Sequence, residues 1–248
     1  MKKLVSVLVL VGLGLGHSDA AIYLVSEMRS VTASGSVNAG PGTASSYSVS
    51  QAPSVPFSAF SANVSSNAGA YSYGTGPYGL DVSAYASSFA SQQSDVSGSG
   101  FHFYSQVLAQ TWSQLPTWGG FCQGIGESTF SVTFGVTDTT PFELTFNRNV
   151  FVHDNASALA SCILLSPNGT VIDLSPMQYN GVTYAGILQA NTIYTLNVLL
   201  HTEANWPDPL GELGNVNGNV NLSLVPEPSS IALLGIGLAG FVAMRRKR

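Results

Sequence analysis

The feature that most constrains this chain is a two-residue periodicity running from residue 81 onward. Val82, Ala84, Ala86, Ser88 and Ala90 alternate with Asp81, Ser83, Tyr85, Ser87 and Phe89. Phe101, Phe103, Ser105, Val107 and Ala109 alternate in the same way with His102, Tyr104, Gln106 and Leu108. Successive side chains of a strand point to opposite faces, so this pattern predicts half-buried β-strands. Residues 128–136 and 142–146 are rich in β-branched and aromatic residues and are parted by a short turn at 137–141. Ile163-Leu164-Leu165, then Ser166-Pro167-Asn168-Gly169, then residues 170–174 form the clearest hairpin signal. Proline presets φ there, and Asn-Gly tolerates the positive φ that closes the turn. Residues 182–188 and 193–201 follow, joined by 189–192. No stretch of the body carries a helical apolar stripe of ten residues.

Eight to ten short strands with frequent turns predict an all-β body, an antiparallel β-sandwich of jelly-roll type over residues 80–225. The phrase 186–196 resembles the closing hairpin of such bodies. Asn215, Asn217, Asn219 and Asn221, opposite Val216, Gly218, Val220 and Leu222, predict a half-buried final strand. Residues 21–28 read as a first strand. The rest of 21–79 is a lead-in rich in Ser, Ala, Gly and Asn, punctuated by Pro41, Pro53, Pro56 and Pro77, and short edge strands are expected there.

Charge narrows the function classes. Only 8% of the 248 residues are charged, against about 25% in an average soluble domain. Between Ala21 and Val225 stand eleven acidic residues and two basic ones, Arg29 and Arg148, a balance of −9. Such a surface repels phosphate backbones and anionic lipid, which excludes nucleic acid as a partner.

The remaining basic residues mark the two ends. Lys2 and Lys3 precede an apolar run from Leu4 to Gly16 and a small-x-small site at Ser18-Asp19-Ala20, the pattern of a signal peptide over residues 1–20. The run of about 13 residues is shorter than the roughly 20 needed to span a bilayer. At the other end, Pro226-Glu227-Pro228 is followed by an apolar segment, 231–244, and then by Arg245, Arg246, Lys247 and Arg248. Fourteen residues make about 21 Å of helix, a short transmembrane segment. The positive-inside rule puts its basic stop on the cytoplasmic side and the body outside. The prolines break helical continuity with the body.

This three-part order over residues 226–248 resembles the PEP-CTERM sorting signal. The resemblance implies recognition and processing of the tail by an exosortase, a membrane enzyme of Gram-negative bacteria that make exopolysaccharide. The destination it implies is the outer envelope, cell surface or extracellular matrix, reached through the inner membrane. Family bodies vary, so the resemblance implies a destination and no activity.

Within the body, Cys122 and Cys162 are the only cysteines, and export places them in an oxidising compartment. A disulfide between them is expected, with two buried free thiols as the alternative; it would contribute about 3–4 kcal/mol. His17 leaves with the signal peptide. His102, His153 and His201 offer local acidic neighbours (Asp154, Glu203) but no metal-ligand spacing. Nucleophile-elbow and phosphate-loop patterns are absent from the sequence, and it offers no dinucleotide fingerprint with the strand–glycine turn–helix setting that one needs. No cofactor is expected. Trp112, Trp118 and Trp206 flank loops containing Pro or Gly and are candidate sugar-stacking residues; plugging the sandwich ends is the competing role. The sequence thus predicts an exported, non-enzymatic envelope or matrix protein associated with exopolysaccharide. A carbohydrate-binding module is the alternative, and a secreted hydrolase with dispersed carboxylates comes third.

Overall fold

The computed structural model of the chain describes residues 20–39, 44–73, 81–113, 121–175, 181–205 and 211–225. The expected signal peptide, apart from Ala20, and the expected tail from Pro226 to Arg248 lie outside the described residues. So do Trp118 and Trp206.

Two antiparallel six-stranded sheets, with no helix among the described residues, form the body. In chain order the strands are β1 (Ile22–Asn38), β2 (Ala44–Gln51), β3 (Phe60–Ser72), β4 (Val82–Ser97), β5 (Gly100–Ser113) and β6 (Phe121–Val136). They continue with β7 (Thr140–His153), β8 (Ser157–Ser166), β9 (Gly169–Asp173), β10 (Val182–Leu188), β11 (Ile193–Asn205) and β12 (Glu212–Leu224). One sheet runs β2-β1-β6-β11-β8-β9 and the other β10-β7-β12-β5-β4-β3. The stretch expected to supply only short edge strands supplies β1, β2 and β3, of 17, 8 and 13 residues; β2 and β3 are sheet edges, whereas β1 lies inside its sheet between β2 and β6. Its Ser, Ala and Gly alternate as strictly as larger residues would, with Val31, Ala33 and Val37 buried on β1 and Ala62, Val64 and Ala68 on β3.

The Ser166–Gly169 hairpin forms as read, pairing β8 with β9, and Gly169 takes a φ of 116°. The closing hairpin at 186–196 does not form. Residues 189–192 carry the chain across the sandwich, so β10 pairs with β7 while β11 pairs with β6 and β8. Leu188 and Tyr194, on either side of this crossing, are both buried. Asn191 turns the chain at a φ of 60°. The final asparagine-rich strand, β12, sits between β5 and β7 in the centre of its sheet, burying Val216, Val220 and Leu222.

The sandwich tapers along its strands. Its thick end is aromatic: Phe101 meets Phe134 edge-on at 4.8 Å, Phe103 lies 5.4 Å from Phe130, and Tyr194 lies 5.8 Å from Phe134. Toward the other end the filling shrinks to Ala68, Ala84, Ala86, Val37 and Cys122. There the backbones come close enough that a Cβ on Gly124 would lie 2.8 Å from the Ser87 carbonyl oxygen. One on Gly126 would lie 2.9 Å from those of Leu108 and Phe89. Serines and one glutamine line the passage between the two regions and donate to backbone of the opposite sheet. Ser88 Oγ reaches the Ser34 carbonyl at 2.8 Å and Ser66 Oγ the Tyr47 carbonyl at 2.9 Å. The Gln92 amide, oriented with its nitrogen toward Ser30 O and Thr129 O, lies 3.2 and 3.1 Å from them. Several buried hydroxyls of this low-charge sequence are thereby satisfied where apolar volume runs out, while those of Thr111, Ser113 and Thr202 are buried without a hydrogen-bond partner.

Both described chain ends leave at the thick end. Ile22 N donates to Gly98 O and Leu224 N to Ser99 O, the same turn, while Val225 N donates to Pro141 O.

Candidate functional site

The expected disulfide is absent, and Cys122 and Cys162 are buried free thiols. Strand geometry explains why. Cys162 faces Val198 across one ladder, and Val198 faces Phe130 across the next. Cys122 lies eight residues further along β6, about 27 Å along the strand and two strands away. A disulfide needs Cα atoms within roughly 7 Å. Desolvation pushes the Cys122 thiol up to about 11 and that of Cys162 up to about 12, keeping both protonated.

Both arginines of the body point inward. Arg29 Nη2 donates to Glu27 Oε1 at 2.8 Å and to Ser58 O at 2.6 Å, while Nη1 faces Ser94 Oγ at 3.3 Å. Its guanidinium lies 5.7 Å from the centre of the Phe60 ring. Phe57 N donates to the same Glu27 oxygen at 2.7 Å, and Phe57 has a φ of 57°, a conformation bulky residues rarely adopt. The pair therefore clasps the β2–β3 connection over the start of β1, where the register with β6 shifts between Leu24 and Ser26. Beside it opens a cavity of about 440 Å³ with apolar walls from Val25, Met28, Pro53 and Phe57. Glu27 Oε2 and Arg29 Nε are buried without hydrogen-bond partners. Arg148 Nη1 donates to Ala160 O at 2.9 Å and Ser175 O at 2.6 Å, and its guanidinium lies 5.8 Å from the Phe146 ring centre.

The histidines are placed separately. His153 pairs with its neighbour Asp154, Nδ1 to Oδ2, at 2.5 Å. His201, on the outer face of β11, has Glu127 at 3.4 Å and Glu203 at 3.9 Å. Glu203 also accepts from Asn205 Nδ2 at 2.6 Å and Gln123 Nε2 at 2.8 Å, and these donors lower its pKa. Among the described residues no three His, Cys, Asp or Glu side chains converge as a metal site would require.

Trp112 is the one candidate stacking residue among the described residues. It stands on the outer face of β5, directly across from Tyr85 of β4, which stands across from Gly69 of β3. Trp112 is 42% and Tyr85 40% exposed. Tyr85 OH donates to Asn67 Oδ1 at 2.9 Å, on the side away from Trp112. The indole leans over Gly211, where a Cβ would lie 3.6 Å from its Cδ1. Two residues beyond Gly69, Tyr71 donates to Asp81 Oδ2 at 2.6 Å, which pushes its phenol up to about 12. Tyr73, 79% exposed, packs edge-on against Tyr71 at 4.5 Å. The result is a diagonal aromatic strip across three strands, bordered by the exposed side chains of Asn67 and Gln110. Single-sequence reading isolated Trp112 but not the tyrosines. The alternation at 81–90 put Tyr85 on an outer face, yet nothing local signalled that β3 and β5 flank β4.

The family model of the PEP-CTERM protein-sorting motif matches residues 224–247. No curated protein matches the chain. Among solved structures, the chain is similar to the crystal structure of the enzymatically active domain of tailspike protein 4 of bacteriophage CBA120. Identity is 14%, covering 55% of this chain and 19% of that chain, at a TM-score of 0.22. That likeness carries no argument about fold or activity.

Proposed function

We propose that this chain, which carries a PEP-CTERM sorting motif and is thereby an exported protein sorted to the cell envelope and processed by exosortase, is a non-enzymatic component of the outer envelope or extracellular matrix of a Gram-negative bacterium, associated with its exopolysaccharide. The observation that carries this reading is the motif at residues 224–247, placed directly after the last strand. Val225, whose amide is held by Pro141 O at 2.9 Å, is the last described residue before the Pro-Glu-Pro triplet. Before processing, residues 231–244 hold the precursor in the inner membrane with Arg245, Arg246, Lys247 and Arg248 on the cytoplasmic side. The body then stands on its thick end, and the end bearing Trp112 points away. The half-buried polar ladders on the outer sheet face, such as Ser30–Thr129 at 2.7 Å and Ser131–Asn197 at 2.7 Å, suit a body that works in a hydrated matrix.

The test replaces Pro226, Glu227 and Pro228 with alanine in the host. Fractionation and intact mass should then show an unprocessed precursor retained in the inner membrane. Normal processing and delivery of that variant would overturn the sorting role. Wild-type matrix yield and composition in a deletion strain would overturn the matrix role.

A further inference from the structure

We propose that the strip Trp112–Tyr85–Tyr71–Tyr73 is a binding face for an extended, neutral polysaccharide chain; this deepens the reading of the body as a polysaccharide-associated component and rests on it. Geometry supports the shape of the ligand. Strands lie about 4.8 Å apart and alternate residues about 6.8 Å apart, so Trp112 to Tyr71 spans roughly 12 Å, about two or three linked pyranose rings. Gly69 and Gly211 at the flanks carry no side chain to wall the rings off, and the Tyr85 and Trp112 rings lean apart along their shared row, one toward β3 and the other toward Gly211. Flat apolar rings cover the C–H faces of sugars, while Asn67 and Gln110 supply amides for the hydroxyls at their edges.

Charge decides the ligand class. Arg29 and Arg148 are the only Arg or Lys residues between Ala21 and Val225, and both are turned into the sandwich against backbone carbonyls. No guanidinium or ammonium of the body is therefore available on this face to hold a uronate, sulfate or phosphate, and the −9 balance repels such polymers. A protein partner suits the strip less well, because rows of amides and serines interrupt its apolar surface and Trp112 and Tyr85 already lean apart.

The test is native affinity electrophoresis of the full chain in a polyoxyethylene detergent, through gels containing hydroxyethylcellulose, galactomannan or dextran, with dextran sulfate as the anionic comparison. The wild type should be retarded by at least one neutral polymer and not by dextran sulfate. Trp112→Ala and Tyr85→Ala, with unchanged circular dichroism and Tm, should weaken the apparent Kd by about tenfold or more, and Trp112→Phe should restore part of it. Absence of retardation in all three neutral gels overturns the proposal, as does equal retardation of wild type and variants. Stronger retardation by dextran sulfate, or concentration-dependent self-association abolished by Trp112→Ala, also overturns it. The dextran sulfate comparison is run on the chain with Lys2, Lys3, Arg245, Arg246, Lys247 and Arg248 replaced by glutamine, because those basic ends would bind a polyanion by themselves. None of the outcomes then depends on the charge of the tail, so correct sorting with failed binding, or the reverse, tells the two readings apart.

Discussion

The guanidinium of Arg29 lies 2.8 Å from the carboxylate of Glu27, two residues earlier on β1, with the arginine side chain fully buried. Both groups also hold the segment leading into β3 through Ser58 O and Phe57 N. Arg29→Met leaves a buried carboxylate without its cation and should cost about 3–5 kcal/mol. Urea unfolding measures this. Adding Glu27→Leu to Arg29→Met should recover part of the loss, because the stranded charge is gone. A single variant within about 1 kcal/mol of the parent would show that the pair clamps nothing.

The thin end sets a second expectation. At Gly126 an added methyl meets two backbone carbonyls at 2.9 Å, groups that cannot rotate away. Gly126→Ala should therefore destabilise by roughly 1–3 kcal/mol, as overpacking does. Gly69→Ala is the control, since its nearest neighbour would be 4.0 Å away, and its stability should stay within about 0.5 kcal/mol of the parent. Equal Tm values for the two variants would contradict the close approach of the sheets.

The two thiols should be silent in the native protein. Ellman's reagent is expected to report none before denaturation and two after it, without reductant. Both thiols are raised on folding, to about 11 and about 12. The protonated form is thus favoured by the fold, and their contribution is fully present below the ordinary thiol pKa of about 8.5. It declines as pH rises from there through the folded values, because the unfolded chain releases its protons first. Cys122→Ala and Cys162→Ala should flatten that alkaline decline in a pH series of Tm.

On the outer face of β11, Glu203 is held below the usual carboxylate range by donors from Asn205 and Gln123. Its contribution is present above the ordinary pKa and lost as pH falls through the depressed one. Gln123→Leu should raise the Glu203 pKa toward its ordinary value, read by NMR titration of the side-chain carboxyl. An unchanged titration would mean that the 2.8 Å bond is not made in solution.

The strands were legible wherever large and small or polar residues alternated. β10 begins and ends at the residues marked by its pattern, Val182 and Leu188, and the turn at Pro167-Asn168 is where the chemistry of those residues puts it. β1 and β3 were legible only in part. Apart from Ile22, Arg29 and Phe60, their buried faces are Ala, Val, Gly and Ser, whose contrast with the exposed Ser and Asn is weak on any hydropathy scale, although the sheet geometry treats them alike. Pairing was the real gap. Nothing local says that β1 lies beside β6, or that two cysteines forty residues apart sit two strands and eight residues from each other. The clasp of Glu27 and Arg29 was equally hidden, because a lone arginine in a strand reads as surface until the covering segment is known. The sorting triplet was readable outright, since its three parts are contiguous.

The inward turn of Arg29 and Arg148 has a further consequence, for survival among secreted enzymes. Proteases of trypsin-like specificity cut after Arg or Lys presented in an accessible extended segment. Outside the two ends this chain has only those two such bonds, each within a paired strand, with Arg29 buried and Arg148 half-buried and bonded to the carbonyls of Ala160 and Ser175. Once folded, the body offers such a protease no extended, unpaired segment around either arginine. Cleavage by it becomes a direct reporter of global opening, confined to the chain's two extremities as long as the sandwich stays closed.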